Sequence, residues 1–331
     1  MTPKTLRPQD IKTSLIPSPL QKPTMAKQIA LPNQTTAQRR TGWTMSQREM
    51  LLGYLLVTPV IVCLLILVIY PFFFAIWISF TNRMVGQPGQ FVGLANFRYL
   101  INWIDFQATV RNTIVLVVSL QTLKLVLGMG IAILLNQQIR GRQGWRGLIL
   151  LPWAMPAFVA YITWKLLYAP QGGAFNYILL QTGLASSHVD FLSTKALAMP
   201  SVIVASFWRG FPFWVIAFLA ALQNVPQELY EAAAMDGASA WKRFWNITAP
   251  SIRHVVLVVV LLSTIWTTNS FEAVWLMTQG GPSNATMTFP VLAYFGLQSL
   301  RIGEAAAVSV SLLPIFAVLA LVVARMLQKE E

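Results

Sequence analysis

Six stretches of this sequence stay apolar for long enough to cross a lipid bilayer, at about 51–79, 113–136, 146–169, 198–222, 254–277 and 305–327. A hydrocarbon core of roughly 30 Å takes about 20 helical residues to span. No water in that core can satisfy a backbone N–H or C=O, so segments of this length are expected to be helices. The predicted fold class is all-α, a polytopic membrane bundle of six transmembrane helices. Composition agrees: 56% of residues are hydrophobic and 11% charged, where soluble domains carry about 25% charged residues.

A net charge of +13 would suggest a nucleic-acid partner in a soluble chain. In a membrane chain it has a topological cause, and no nucleic acid is expected. Eight of the 24 basic residues fall in the first 50. The loop 137–147 carries Arg140, Arg142 and Arg146, and the loop 223–253 carries Lys242, Arg243 and Arg253. The intervening loops carry Arg83, Arg98 and Arg111, then Lys195, then Arg301. An excess of Lys and Arg marks the cytoplasmic side, which places both termini and the 223–253 loop in the cytoplasm. Residues 1–45, with several Pro, Gln, Thr and Lys and no apolar period, read as a disordered basic tail. Residues 46–331 form the membrane domain, with Arg39, Arg40, Trp43 and Arg48 anchoring the first span at the interface. The single cysteine, Cys63, permits no internal disulfide and no cysteine-rich metal site. His188 and His254 fall on opposite sides of this topology, so no metal site is expected.

The 223–253 loop is the most informative. Glu228-Leu229-Tyr230-Glu231-Ala232-Ala233-Ala234-Met235-Asp236-Gly237 is followed by Ala238-Ser239-Ala240-Trp241-Lys242-Arg243-Phe244-Trp245-Asn246-Ile247-Thr248-Ala249-Pro250. It predicts two short helices broken at a glycine. Pro226 suits a first helical turn. Glu228 and Glu231 favour the positive end of the first helix. Gly237 can take the left-handed conformation that ends it, and Ser239 can cap the second. Trp241, Phe244 and Trp245 fall at i, i+3 and i+4 on one face, and Pro250 is expected to stop the helix before the next span.

Glu231-Ala232-Ala233, three residues, Gly237, nine residues, then Ile247-x-Ala249-Pro250 resembles the EAA loop of ABC-importer permeases, with Ala249 where that pattern has Leu. Leu151-Pro152-Trp153 and Leu276-Met277-Thr278-Gln279-Gly280-Gly281-Pro282 resemble the carbohydrate-uptake branch, which includes maltose, glycerol-3-phosphate and trehalose permease subunits. The resemblance covers about residues 48–327. It implies a type I ABC importer permease fold in the inner membrane of a prokaryote, and a pore subunit rather than an enzyme. Its implied partners are a second homologous permease, a dimeric ABC ATPase, an extracytoplasmic solute-binding protein and the lipid bilayer. The same resemblance makes Glu231, Ala232, Ala233, Asp236, Gly237, Ile247 and Pro250 the ATPase-coupling residues. The chain holds no Gly-x4-Gly-Lys-[Ser/Thr], so it has no phosphate-cradling loop. ATP and Mg are expected on the partner ATPase, and no cofactor on this chain.

Polar groups inside spans are costly and point to cavities or partners. Arg209 lies in the fourth span beside Trp208, and Lys124 in the second with Gln121 one turn away. In the fifth, Thr264, Thr267, Thr268, Phe271, Glu272 and Trp275 fall within a sector of about 140° at 100° per residue. Hydroxyls, a carboxylate and aromatic faces suit a sugar, whose hydroxyls seek partners and whose C–H faces stack on rings. The bland alternative is helix packing, because Ser and Thr commonly bridge membrane helices and Glu272 could neutralise Arg209 or Lys124. A self-contained secondary transporter or channel is the rival function; internal repeats typical of such folds are not evident.

Overall fold

A computed structural model describes residues 45–328, apart from the side chains of residues 46–48. The expected tail and its anchoring residues therefore lie outside what is described. The chain divides between Val60 and Ile61 into two compact units. In the first, the described residues form the start of helix α1 (Met45–Leu64), with Leu51, Leu55 and Val60 exposed as on a helix surrounded by lipid.

In the second unit a π-helical turn, Leu65–Ile69, leads into α2 (Tyr70–Ser79). After α3 (Ala95–Asn102) and α4 (Ile104–Asn136) come α5 (Arg142–Ala154) and α6 (Ala157–Leu167). Then follow α7 (Ala174–Gln181), α8 (Lys195–Gln223), α9 (Gln227–Met235) and α10 (Ala240–Arg243). A second π-helical turn, Phe244–Thr248, joins α10 to α11 (Ala249–Thr268). The chain ends with α12 (Phe271–Met277), α13 (Phe289–Gln298), α14 (Ile302–Val310) and α15 (Leu313–Gln328).

Among the described residues, five helical segments are long and apolar enough to span a membrane, and a sixth exists only if α5 and α6 count as one span. The third predicted span is thus not a straight helix: its halves meet at 89°. Met155 there is extended, with ψ 132°. Pro156 is the cause, since its ring disfavours the helical region for the residue before it.

Pro250 does not stop the helix that precedes it; helix runs on from Ala240 to Thr268. The proline stands two residues beyond the π turn Phe244–Thr248. Pro71 stands likewise beyond Leu65–Ile69. A proline ring crowds the carbonyl four residues back and supplies no N–H. In both places that carbonyl lies inside the wider turn, which gives it room.

The fifth span departs from expectation at its other end. Helix α11 closes at Thr268, Ser270 is extended, and α12 begins at Phe271. Asn269 turns its amide back onto the Ile265 carbonyl at 2.8 Å, and Thr268 Oγ1 donates to the Thr264 carbonyl at 2.8 Å. Side chains of this kind compete with the backbone for its own hydrogen bonds and favour such breaks.

Two apolar cores share α4 and α8. One gathers Leu116, Leu120, Val202, Ala205, Val274 and Val291; the other gathers Met129, Ala132, Trp214, Val215, Phe218 and Val259. The helices meet through reciprocal notches. Gly128 of α4 receives Trp214, whose Cβ lies 3.2 Å from where a Cβ would stand, and Gly210 of α8 receives Lys124. Small residues let membrane helices approach closely, and the pairings 124 with 210 and 128 with 214 make the two helices parallel.

Candidate functional site

Two regions carry the sequence-derived candidates. The first is the α9–α10 loop. Pro226 precedes α9 as its N-cap residue, one position before the expected first turn, and Glu228 lies in that turn. Gln227 Nε2 donates to Glu231 Oε1 at 2.9 Å. Gly237 has φ +73°. The Ala238 N–H reaches the Ala233 carbonyl at 2.9 Å and the Gly237 N–H the Ala234 carbonyl at 3.1 Å. These are the paired bonds of a Schellman ending, which satisfies carbonyls a helix end otherwise leaves open. Ser239 Oγ accepts from the Lys242 N–H at 3.4 Å as the N-cap of α10.

Glu231, Ala232, Asp236 and Gly237 are exposed, and Ala233 and Ile247 half-buried. Trp241, Phe244 and Trp245 pack as one aromatic group, with centroids 5.1 to 6.3 Å apart. Even so, Met235 is 89% and Trp241 70% exposed, and Leu229 and Trp245 are exposed too. This apolar surface lies uncovered beside a turn capped at Gly237 and Ser239. A side-chain hydrogen bond ties α9 to the end of the π turn: Tyr230 Oη and the buried Thr248 Oγ1 stand 2.9 Å apart.

The second region is a polar belt between the two cores. On α4 it holds Gln121 and Lys124, between Leu120 of one core and Met129 of the other; on α8 it holds Ser206, Arg209 and Gly210, between Ala205 and Trp214. On α11, Ser263 accepts from Trp214 Nε1 at 3.1 Å, and Thr267 Oγ1 accepts from Gln121 Nε2 at 3.3 Å. Lys124 is 6% exposed, and Arg209 is partly exposed. Tyr161 of α6 stands among Ser206, Ser270, Arg209 and Glu272. The Ser206 hydroxyl faces this phenol without completing a well-directed hydrogen bond.

The fifth-span stripe does not hold together as one helix face. The break at Asn269–Ser270 puts Thr264 and Thr268 on α11 and Phe271, Glu272 and Trp275 on α12. Phe271 and Trp275 stack at 5.4 Å, and Trp275 meets Tyr294 of α13 at 4.6 Å. Trp208 packs edge-on against Trp164 at 5.7 Å, within an aromatic group that includes Tyr168 and Phe175. Glu272 is exposed, and among the described residues it forms no ion pair with Arg209 or Lys124. Tyr161 and Gly210 escaped the sequence reading. Tyr161 sits in a plain apolar run, and Gly210 was legible only as the neighbour of a charged residue.

Residues 124–329 match the family model described as binding-protein-dependent transport system inner membrane component. The chain is 36% identical to the trehalose/maltose transport system permease protein MalF of Thermococcus litoralis, over 78% of this chain and 88% of that protein. It is 32% identical to the sn-glycerol-3-phosphate transport system permease protein UgpA of Rhizobium meliloti, over 80% of this chain and 90% of that one. A chain of a bacterial ABC transporter involved in import of the acidic polysaccharide alginate has the same fold, with TM-score 0.73 and 23% identity over 85% of this chain and 96% of that one.

Proposed function

The chain belongs to the family of binding-protein-dependent transport system inner membrane components, and from that membership we propose that it forms half of the pore of an ATP-driven importer for a carbohydrate-type solute. A second, homologous permease supplies the other half. An ABC ATPase dimer, which carries ATP and Mg, binds on the cytoplasmic side. An extracytoplasmic solute-binding protein docks on loops 81–112, 170–197 and 278–304. Both termini and the α9–α10 loop lie in the cytoplasm, as the basic loops favour.

The observation that carries this reading is the α9–α10 turn. It is capped at Gly237 and at Ser239 and exposes Leu229, Met235, Trp241 and Trp245. It runs through the π turn straight into α11. A rigid, apolar projection continuous with a membrane helix transmits a push or pull from a partner seated on it. ATP-driven closure of the ATPase dimer draws on α9 and turns the pore outward, and hydrolysis resets it. The carbohydrate class is supported by the relatives named for trehalose/maltose and for sn-glycerol-3-phosphate.

Purification of the tagged chain from membranes in mild detergent tests the assembly. Mass spectrometry should identify a second permease and an ATPase with a phosphate-binding loop. Recovery of this chain alone, from membranes that contain both, contradicts the reading.

A further inference from the structure

The polar belt holds more positive than negative charge. The Cε and Nζ of Lys124 lie 2.9 and 3.0 Å from where a Cβ of Gly210 would stand, so its ammonium rests on the bare Cα of α8. Arg209 immediately precedes Gly210 on α8, so a second cation acts on the same neighbourhood as Lys124. Among the described residues neither makes an ion pair or a side-chain hydrogen bond. Arg209 Nε is buried with no partner, as are Ser206 Oγ and Gln121 Oε1. One carboxylate near this group, Glu272, is exposed and shares the surroundings of Tyr161 with Arg209. The belt thus brings together two cations, one carboxylate, a Ser206 hydroxyl with no well-directed hydrogen bond and an unused Gln121 amide oxygen.

Unpaired charge in a membrane interior is costly, and a buried donor or acceptor left empty costs about 1–3 kcal/mol. A neutral sugar would fill the hydroxyl and amide positions yet leave the excess positive charge uncompensated. We propose that the belt is a binding site for an acidic carbohydrate, whose carboxylate or phosphate is held by Lys124 and Arg209 while its hydroxyls engage Ser206, Gln121 and Glu272. The oxyanion forms charge-assisted hydrogen bonds with both cations. The site rests on the reading of this chain as a carbohydrate permease. Gly210 belongs to it because the absent side chain is what admits the Lys124 ammonium.

The test is a thermal titration of the purified complex of this chain with its co-purifying subunits, in detergent at matched ionic strength. The probes are glucose, glucuronate and glucose 6-phosphate. A ligand that binds only the folded state raises Tm, so glucuronate or glucose 6-phosphate should raise it by about 2 °C or more at saturation, and glucose should not. The carboxylate and phosphate arms show which oxyanion the site takes. Lys124→Gln and Arg209→Gln should each weaken the acidic probe's binding about tenfold or more. Arg209→Lys, which keeps the charge, should retain most of it. An equal shift from glucose, no shift from any probe, or full retention in Lys124→Gln each overturns the site. If a carboxylate of the second permease neutralises these cations instead, no probe shifts Tm and Lys124→Gln lowers recovery of that permease. Loss of the ATPase from the wild-type complex counts against the importer reading and is scored separately.

Discussion

Tyr230 is the residue at which the proposed coupling can be cut with least damage. Its hydroxyl meets Thr248 at 2.9 Å, just before α11 begins, and a hydrogen bond of this kind contributes about 1 kcal/mol. Tyr230→Phe and Thr248→Val should each lower the solute moved per ATP hydrolysed while leaving the complex assembled. The double variant should be no worse than the more affected single one, because both changes remove the same bond. A ratio unchanged from wild type in either single variant would count against this link. At this scale the sequence was partly legible. Lys124, Arg209 and Glu272 stand out because charge in an apolar run is conspicuous. Tyr161 and Gly210 do not, because a phenol and a missing side chain acquire their role only when α6 and α4 come against α8.

The loop α9–α10 was readable as an element because its determinants are local. A glycine at φ +73°, a serine N-cap and acidic residues in early turns act within a few residues of themselves. The breaks were harder. Pro250 looks like a stop, yet a π turn carries the helix past it; whether a helix ends or widens depends on what holds the residues on either side. The fifth span looked like one stripe, yet Thr268 and Asn269 return their side chains to their own backbone and the helix divides. Gly237 gives the sharpest test at this scale. Gly237→Ala puts a Cβ into the left-handed region at a cost of about 1–2 kcal/mol. Gly237→Pro also deletes the N–H that reaches the Ala234 carbonyl and fixes φ near −65°. The proline variant should insert into the membrane at normal levels and lose ATP-driven uptake. The alanine variant should fall between it and wild type, as read by uptake assays on membranes of equal permease content.

At the scale of the molecule, hydropathy revealed how many times the chain approaches a membrane crossing, but not how the crossings pack. Two apolar cores with a polar belt between them arise from the parallel packing of α4 on α8. That packing depends on glycines 128 and 210 lying opposite large residues of the other helix, a pairing between positions far apart in the chain. The 89° bend of α5 against α6 was not read from the run 146–169, because hydropathy is blind to the backbone restriction that Pro156 places on Met155. A pore subunit of this kind moves solute only as part of an ATP-driven assembly. Reconstituting the chain into liposomes, alone and with its co-purifying permease, ATPase and binding protein, tests it most directly. Accumulation against a gradient should require ATP and every subunit. Steady solute entry through this chain alone, without ATP, would contradict it and make the protein a self-contained transporter or channel.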